Sequence, residues 1–311
     1  MNTLDVRVAA IRPLTPVVRE LTLAPVAGEL PAFSAGSHIQ LWMNDGERAY
    51  RNAYSLLGDP ADRSAWRIAV RRQEPSRGGS AFVHERIEPG MTLRVSAPAN
   101  LFALNAGCRT HILVAGGIGI TPFLAHIAEL ERRHADFELH YAYRPGLTDA
   151  YLDELDARLG ARLHRYDGRH ARFDAARVLT GRPLGAHVYV CGPQRLLSDV
   201  RRAAETLGWP ASRLHWEAFA APAPGTPFKA TLRRSGLSID VGADQSLLEA
   251  LEAAGIDVPN LCRGGACGQC ITPHLDGDVE HRDSVLSPDE RATHLMPCVS
   301  RACGATLTLD L

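Results

Sequence analysis

The alternation of apolar and polar residues divides the chain into three segments with different secondary structure. From Leu4 to about Phe102, short β-type runs such as 38–43 and 66–70 are separated by Gly, Pro, Asn and Asp, which predicts a small antiparallel barrel or sandwich. From about Ala106, strands alternate with helices, and this βαβ order predicts a parallel sheet. The predicted elements of this second segment are strands at 111–115, 137–143, 161–166 and 187–190 and helices at 122–134 and 194–207.

A third segment follows the sequence AAPAPGTPF at 220–228, whose Pro and Ala content without helical or strand periodicity indicates a linker. Beyond it, residues 230–241 have the pattern of a hairpin, and residues 246–254 have that of a helix with an apolar face of leucines. We therefore predict a multidomain protein. Its predicted domains are an antiparallel β domain at 1–104, an α/β domain with a parallel sheet at 105–222 and an α+β domain at 223–311.

Composition and charge argue against several classes of function. Basic and acidic residues nearly cancel, with a formal net charge of -1, so the chain has no basic field that would attract nucleic acid or an anionic membrane. No apolar run approaches membrane-spanning length, and residues 1–10 lack the apolar region of a secretory signal. Most cysteines cluster after Asn260, which fits metal ligation in a reducing compartment better than a disulfide framework. We expect a cytoplasmic protein.

This cysteine cluster has the spacing of an iron-sulfur site. Cys262, Cys267 and Cys270 form C-x4-C-x2-C, and Cys298 follows after a long insertion, which is the plant-type [2Fe-2S] arrangement. Glycines between the first three cysteines allow a short loop to wrap the cluster and bring backbone N–H groups to the sulfurs. A structural zinc site is the alternative, although zinc motifs usually repeat a C-x2-C pair. Cys303 is a rival fourth ligand, and we prefer Cys298 because it ends a loop rather than starting the terminal strand.

Two turns in the second segment are typical of a nucleotide-binding edge. The sequence GGIGITP at 116–122 connects a predicted strand to a helix, and its glycines let the backbone approach a pyrophosphate at the helix N-terminus. The sequence CGP at 191–193 ends another strand of the same predicted sheet, where ligands of open α/β sheets bind. Tight packing of glycines is the alternative. The candidate nucleotide contacts are Gly116, Gly117, Thr121, Pro122, Cys191, Gly192 and Pro193.

The first segment contains a candidate phosphate site. Tyr54 and Ser55 end a predicted strand that carries arginines, and the sequence RGGS at 77–80 opens a predicted helix. We expect Ser80 to cap this helix while Arg77 and the glycine amides bind a phosphate. An ordinary loop with an N-cap serine is the alternative. The candidate phosphate contacts are Arg77, Gly78, Gly79 and Ser80.

The motifs YS, RGGS, GGIGITP, CGP and C-x4-C-x2-C…C occur in an order that resembles the phthalate dioxygenase reductase family over nearly the whole chain. The resemblance implies a flavin-binding β-barrel, an NAD-binding α/β domain and a β-grasp-like ferredoxin domain, with FMN rather than FAD as the flavin. It also implies that Tyr54 lies against the isoalloxazine ring and Ser55 near its reactive nitrogen. Phe219 resembles the family residue near the flavin face where nicotinamide enters, and a core aromatic is the alternative interpretation.

One departure from the family pattern R-x-Y-S affects the flavin site. Arg51 stands three residues before Tyr54, so strand alternation places Asn52, and not Arg51, on the face of Tyr54. Either a β-bulge restores Arg51 to the flavin, or the flavin phosphate depends more on Arg77 and the glycine amides. The candidate flavin contacts outside the RGGS loop are Arg51, Asn52, Tyr54 and Ser55.

The resemblance implies an electron-transfer reductase that takes a hydride from nicotinamide and passes single electrons through flavin to the iron-sulfur cluster. Plant-type clusters lie near about -400 mV, low enough to reduce a Rieske centre, whose range starts near about -150 mV. We therefore expect a separate Rieske-type terminal oxygenase as the acceptor, docked on the rim around residues 262–270. The competing functions are a general ferredoxin or cytochrome reductase and a non-enzymatic redox sensor.

Two residues bear on the choice between NADH and NADPH. Asp167 follows a predicted strand that ends at Tyr166. A carboxylate at this position repels the 2′-phosphate of NADPH and accepts a hydrogen bond from the ribose hydroxyl of NADH, so Asp167 favours NADH. Arg144 favours NADPH. The substrate of the oxygenase is not encoded in this chain, because no substrate other than the nucleotide meets it.

Overall fold

Seven strands and one helix form the first hundred residues of the computed structural model, which describes residues 3–46, 48–74, 76–219 and 223–311. Apolar and polar side chains alternate along the first half of β1 and along β6, whereas almost all of β3 is buried. The elements are β1 Thr3–Thr15, β2 Val18–Pro25, β3 Ser37–Asn44, β4 Ala49–Ser55, β5 Trp66–Arg71, α1 Gly79–Glu85, β6 Thr92–Ser96 and β7 Ala99–Asn100.

These strands pair antiparallel in the order β4-β3-β6-β1-β2-β5, with β7 beside β3. The sheet closes into a barrel because Leu57, just after β4, forms a bridge to Arg67 of β5. Its interior is filled by fully buried side chains that include Ile39, Leu41 and Trp66. The antiparallel barrel predicted from the alternation is confirmed.

Parallel strands alternate with helices in the next segment, and they pair in the order β10-β9-β8-β11-β12. The parallel sheet predicted from the βαβ pattern is therefore confirmed. The pattern does not predict β12, since all four of its residues are half-buried and show no alternation. The elements are β8 Thr110–Gly116, α2 Thr121–Arg132, β9 Asp136–Ala142, α3 Leu152–Leu159, β10 Leu163–Tyr166, α4 Ala175–Leu179, β11 Ala186–Cys191, α5 Gln194–Thr206 and β12 Leu214–Glu217.

The barrel and the parallel sheet share one hydrophobic core. Phe102, just after β7, packs edge-on against Phe123 of α2, with 5.8 Å between ring centroids. The Tyr151 hydroxyl donates to the buried Glu20 carboxylate of β2 over 2.7 Å. By its internal contacts the chain divides into two units, the first of which is Met1–Phe219. Separate domains at 1–104 and 105–222 remain a prediction.

The second unit, Ala220–Leu311, has the β-grasp arrangement, in which a hairpin is followed by a helix and a terminal strand returns parallel to the first. The main sheet has the order β14-β13-β19-β15-β17, and β16 pairs with β18. Its helix α6 starts with a capping box between Ser246 and Glu249. The elements are β13 Phe228–Leu232, β14 Leu237–Val241, α6 Leu247–Ala253, β15 Thr272–Asp276, β16 Val279–Glu280, α7 Pro288–Arg291, β17 His294–Leu295, β18 Arg301–Ala302 and β19 Thr306–Leu309.

Part of the linker predicted at 220–228 belongs to this second unit. Residues 220–222 lie outside the described ranges. Beyond them, Gly225 N donates to Ala243 O over 3.0 Å, and Arg301 Nη2 donates to Thr226 O over 3.0 Å. Residues 225 and 226 are therefore hydrogen-bonded to the second unit, and the role of 220–228 as an inter-domain linker remains a prediction. No helix in the described ranges is both long and apolar enough to cross a membrane.

Candidate flavin, nucleotide and iron-sulfur sites

The four cysteines of the motif form two pairs of sulfur atoms. Cys270 Sγ lies 3.3 Å from Cys298 Sγ, and the thiols of Cys262 and Cys267 share a hydrogen bond. No three cysteine sulfurs of the described residues lie within 4.8 Å of one another. A single tetrahedral zinc ion would hold all four sulfurs roughly 3.8 Å apart. Two separate pairs instead fit a cluster of two irons, each of which takes two thiolates.

Backbone amides point at these sulfurs. Gly264 N lies 3.4 Å from Cys262 Sγ, and Gly265 N–H donates to the sulfur of Cys298. The hydrogen bond from the Cys262 thiol lowers the pKa of Cys267 to about 6. Hydrogen bonds of this kind stabilise negative charge on sulfur, so the loop suits thiolate ligands and an anionic cluster.

Cys303, the rival fourth ligand, belongs to neither pair. It is exposed in the turn between β18 and β19, where its backbone N donates to Asp278 O over 2.8 Å. Cys298 is buried at the end of a loop that follows β17. The geometry therefore supports Cys298 as the fourth ligand.

Asn52 and Tyr54 share one face of β4, and Ser55 ends the strand. Asn52 Nδ2 donates to the Tyr54 hydroxyl over 3.2 Å, and burial raises the pKa of Tyr54 to about 12. Ser55 is buried, and its hydroxyl has no hydrogen-bond partner among the described residues. A buried hydroxyl without a partner is costly unless a ligand supplies one. The end of β4 therefore fits the polar edge of a flavin ring.

Arg51 lies on the opposite face of β4. The pairing of β3 with β4 runs without a register shift along the whole of β4, so there is no bulge at this strand. Arg51 Nε donates to Gln40 Oε1 over 2.7 Å, and its guanidinium lies 4.4 Å from the centroid of the Trp42 ring. Of the two alternatives, the bulge is therefore wrong. A flavin phosphate on the face of Asn52 and Tyr54 would depend on residues other than Arg51.

The RGGS loop packs on the Asn52 side of β4. A Cβ atom on Gly79 would lie 2.4 Å from Asn52 Nδ2, and one on Gly78 would lie 2.2 Å from the Tyr50 ring. Only glycine allows the loop to approach the strand so closely. The loop that starts with Arg77 therefore lies beside Asn52, as the candidate phosphate site requires.

Ser80 does not cap α1, so this part of the prediction is wrong. The helix begins at Gly79, and Gly78 is the N-cap residue, with no side-chain hydrogen bond at the cap. Ser80 Oγ instead accepts from Gln73 N over 3.1 Å, which ties the helix to the loop after β5. Ser76 takes over part of the capping role, because its Oγ accepts from Ala81 N in the first turn of the helix over 3.3 Å.

The two turns of the candidate nucleotide site meet at the carboxyl edge of the parallel sheet, because β8 and β11 are neighbours. A Cβ atom on Gly119 would lie 2.2 Å from Cys191 O, and one on Gly116 would lie 2.7 Å from Pro193 Cδ. Gly192 lies between these contacts, against the backbone of Gly116. The prediction that both turns share one edge is therefore confirmed by the pairing.

Within the first turn, Gly117 has a positive φ of 52°, and α2 starts at Thr121 with Pro122 in its first turn. Thr121 is buried, and its hydroxyl donates to Ile118 O over 2.9 Å, so it holds the turn rather than facing solvent. Cys191 is fully buried, and burial raises the pKa of its thiol.

Asp167 and Arg144 lie just after β10 and β9, at the same edge. The Asp167 carboxylate accepts from the backbone N of Arg169 and of His170, and a hydrogen bond from the His170 ring holds the pKa of Asp167 well below its usual range. Arg144 N donates to Thr148 Oγ1 over 2.9 Å. Asp167 is therefore ionised at neutral pH, and its own turn uses part of its hydrogen-bonding capacity.

Arg71, at the end of β5, is a further candidate that sequence analysis missed. Burial and the positive charge of Arg144 lower the pKa of Arg71, and its Nε has no hydrogen-bond partner among the described residues. Two neighbouring guanidiniums, one with a buried donor unused, form a surface that suits an anion. The sequence signal is an arginine at a strand end, but only the packing of the barrel on the sheet brings it to Arg144.

Phe219 follows β12, whose last residue, Glu217, pairs with Cys191 of the nucleotide edge. It is 40% exposed, so the alternative of a core aromatic is not supported. Its position beyond the carboxyl end of β12 fits the entrance to the nucleotide site.

A separate group of possible metal ligands lies on β9 and β10. Glu138, His140 and His164 bring their ligand atoms within 4.8 Å of one another. Arg182 also donates to the Glu138 carboxylate. Against the opposing effect of burial, hydrogen bonds from His140 and Arg182 lower the pKa of Glu138 to about 2. Because Arg182 already neutralises the carboxylate, an ion-paired cluster explains this group without a metal.

Residues 230–306 match the family model for the 2Fe-2S iron-sulfur cluster binding domain, and residues 93–214 match that for the N-terminal domain of dimethylamine monooxygenase subunit DmmA-like proteins. The chain is similar, at 61% identity over 312 residues and 100% of both chains, to the heme-dependent oxidative N-demethylase beta subunit of Ectopseudomonas mendocina (strain ymp). The solved structure of phthalate dioxygenase reductase matches 100% of this chain and 98% of its own, with a TM-score of 0.88 and 36% identity. The chain belongs to the phthalate dioxygenase reductase family.

This membership accounts for the fold and for the order of the sites. The reductase is an NAD(P)H-dependent flavin and iron-sulfur oxidoreductase, the electron-transfer component of an oxygenase system. Membership of this family favours a dedicated oxygenase reductase over a general ferredoxin or cytochrome reductase and over a redox sensor. A third similar protein is an intact type IV self-sufficient cytochrome P450 monooxygenase, which covers 99% of this chain with 41% of its own, at a TM-score of 0.73 and 38% identity.

Proposed function

We propose that this reductase oxidises NADH with FMN and passes the electrons, through a [2Fe-2S] cluster, to the heme-containing subunit of an oxidative N-demethylase. The proposed cluster ligands are Cys262, Cys267, Cys270 and Cys298. The observation that carries the choice of acceptor is the 61% identity, over the full length of both chains, to a heme-dependent oxidative N-demethylase beta subunit.

A second similar protein supports a heme acceptor. In the self-sufficient cytochrome P450 monooxygenase, the part that matches this reductase makes up 41% of the chain. Cytochromes P450 are heme enzymes. A heme acceptor is therefore compatible with a plant-type cluster, which donates one electron at a time.

A Rieske-type terminal oxygenase is the second candidate acceptor. The likeness to phthalate dioxygenase reductase favours it, at a TM-score of 0.88 over nearly the whole of both chains. Electron transfer from a plant-type cluster at about -400 mV to a Rieske centre is also downhill. For either acceptor, we expect the rim around 262–270 to be the docking surface. A cytoplasmic location also remains a prediction.

The residues at the end of β4 would hold the flavin. Flavin supplies the conversion of a two-electron donor into single electrons. The buried Ser55 hydroxyl, which has no partner among the described residues, would hydrogen-bond the ring edge, and Tyr54 would pack on the ring. Arg77 and the amides of the glycine loop beside Asn52 would bind the FMN phosphate.

The carboxyl edge of the parallel sheet would hold the nicotinamide cofactor. Arg71 and Arg144 would bind the pyrophosphate, whose two negative charges offset the repulsion between the guanidiniums. Asp167 stays ionised, so it disfavours the 2′-phosphate of NADPH. Phe219 would then lie where the nicotinamide ring enters.

Four measurements on the purified protein test the cofactors. Visible absorption before and after anaerobic NADH reports flavin and cluster, and mass analysis of the released flavin separates FMN from FAD. The values of kcat/KM for NADH and NADPH give the nucleotide preference, and analysis of iron and acid-labile sulfide gives the cluster content. We expect FMN, a larger kcat/KM for NADH, and two iron and two acid-labile sulfide per chain. A colourless sample that contains zinc and no acid-labile sulfide would contradict the assignment of a [2Fe-2S] cluster.

The acceptor is tested by mixing the NADH-reduced protein with each candidate under anaerobic conditions. We expect rapid reduction of the heme of an N-demethylase subunit, seen as a shift of its visible heme band. Reduction of a Rieske oxygenase, with the heme subunit left oxidised, would instead establish the second candidate. A control with the cluster removed must leave both acceptors oxidised.

A further inference from the structure

A buried carboxylate lies beside the cysteine loop of the second unit. The side chain of Asp283 has no exposed surface. Its Oδ2 accepts from the backbone N of Val285 over 3.1 Å and of Leu286 over 2.8 Å, whereas its Oδ1 has no hydrogen-bond partner among the described residues. Burying a carboxylate with one oxygen unpaired is costly, so a nearby positive charge is needed to stabilise it.

One cation and one histidine face this carboxylate. Arg291 Nη2 lies 3.6 Å from Asp283 Oδ2 and donates to the Asp283 backbone O over 3.0 Å. His281 Nδ1 lies 3.7 Å from Oδ1, and burial lowers the pKa of His281, so the ring is neutral at neutral pH. Arg291 is therefore the positive charge that offsets Asp283, and it is more exposed than its partner.

The turn that Asp283 caps is hydrogen-bonded to the cysteine loop. Ser284 N donates to Gly265 O over 3.0 Å, and a Cβ atom on Gly265 would lie 3.2 Å from Asp283 Cα. Gly265 N–H in turn donates to the sulfur of Cys298. The turn that the buried carboxylate caps is therefore linked, through the Ser284–Gly265 hydrogen bond and the backbone of Gly265, to a proposed ligand of the cluster.

We propose that Asp283 is a positioning residue that lowers the reduction potential of the iron-sulfur cluster. This inference rests on the proposed ligand set. Reduction adds one electron to a site that is already negative, and a fixed negative charge in a region shielded from water disfavours that step. Its turn also aligns Gly265 with Cys298. Arg291 acts in the opposite sense, because its charge attracts the added electron.

The test is a potentiometric titration of the holoprotein, followed by electron paramagnetic resonance of the reduced cluster. Asp283→Asn keeps the shape and an acceptor oxygen but removes the charge, so we expect a higher midpoint potential than that of the unmodified protein. Arg291→Gln removes the positive charge, so we expect a lower one. Asp276→Asn is the control, because Asp276 is an exposed acid of the same unit, and we expect no shift.

Opposite shifts of the two variants distinguish charge from loosened packing, which would move both potentials in one direction. The inference is overturned by shifts of the same sign, or by a midpoint potential that neither substitution changes. If Asp283→Asn does not retain its cluster, Arg291→Gln decides alone, and an unchanged or higher potential rejects the inference. An unmodified protein without iron and sulfide would instead reject the ligand set, so the two failures are distinguishable.

Discussion

The cysteine loop and the flavin and nucleotide region solve the same problem, the placement of a cofactor, over very different lengths of chain. Three of the four proposed cluster ligands lie within residues 262–270, and backbone amides of the same loop donate to the sulfurs. The region in the first unit gathers candidate contacts from Arg51 to Phe219. Its geometry depends on strand register and on a core that the barrel shares with the parallel sheet.

This difference teaches which kind of site a sequence can specify on its own. A short loop with fixed spacing leaves few conformations that bring its thiols together, so the motif carries the geometry. In the larger region, each motif defines a local turn, but the relation between turns comes from packing. Substitutions in the loop should therefore affect the cluster alone. Substitutions in the first unit should change folding stability, flavin affinity and nucleotide affinity together.

Substitution of a cluster ligand has the largest expected effect. Cys270→Ser should lose the cluster completely, because each iron needs two thiolates and Cys270 Sγ lies 3.3 Å from Cys298 Sγ. Iron content, acid-labile sulfide and electron transfer to a one-electron acceptor should fall to background, while flavin reduction by NADH persists. The matched control is Cys303→Ser, at an exposed cysteine outside both pairs. Loss of the cluster in the control would instead make Cys303 a ligand and contradict the proposed ligand set.

The fold classes and the cysteine site could be predicted from sequence because both depend on local patterns, namely strand alternation, βαβ order and ligand spacing. The errors arose where tertiary contacts intervene. Ser80 is a good N-cap residue by type, but Gly78 takes the cap position and the Ser80 hydroxyl bonds Gln73 N. Arg71 was missed because its neighbour, Arg144, is far away in sequence.

Mild acid should destabilise the first unit through His126. This side chain is fully buried in the shared core, where its ring lies 2.8 Å from Phe102 O, and burial lowers its pKa to about 4. The unfolded chain takes up the proton near pH 6.5, so stability is complete above that value and is lost as pH falls towards 4. Between pH 7.5 and pH 5, the free energy of unfolding should fall by roughly 2 kcal/mol from this residue.

Urea unfolding at both pH values, followed by the tyrosine and tryptophan signal, measures this loss. In His126→Gln, an amide can still donate to Phe102 O but does not titrate, so the loss should be smaller by about that amount. The same dependence on pH in both proteins would show that other groups control acid unfolding. His215 is one such group, since burial also lowers its pKa to about 4.

Arg71→Gln tests whether Arg71, which lies outside the sequence motifs, contacts the nucleotide. We expect the KM for NADH to rise roughly tenfold with little change in kcat, since a charged hydrogen bond to phosphate contributes about 1.5 kcal/mol. The control is Arg72→Gln, because the Arg72 side chain is paired with Glu85 over 2.8 Å. Steady-state kinetics with NADH give both values. Equal effects at the two positions would mean that only the overall positive charge near the end of β5 matters.

The smallest expected effect is that of Arg51→Gln, and it probes the register of β4 directly. A shift of one residue along a strand turns every side chain to the other face, so the motif position of an arginine says little unless the face is known. Arg51 packs on Trp42 and bonds Gln40, away from Asn52 and Tyr54. We therefore expect flavin affinity to change by no more than about 0.5 kcal/mol. The comparison variant, Asn52→Leu, should weaken flavin binding more, because it alters the face that carries Tyr54 and contacts Gly79. Fluorescence of released FMN, titrated against each apoprotein, measures both affinities, and a larger loss in Arg51→Gln would place the flavin on the other face of the strand.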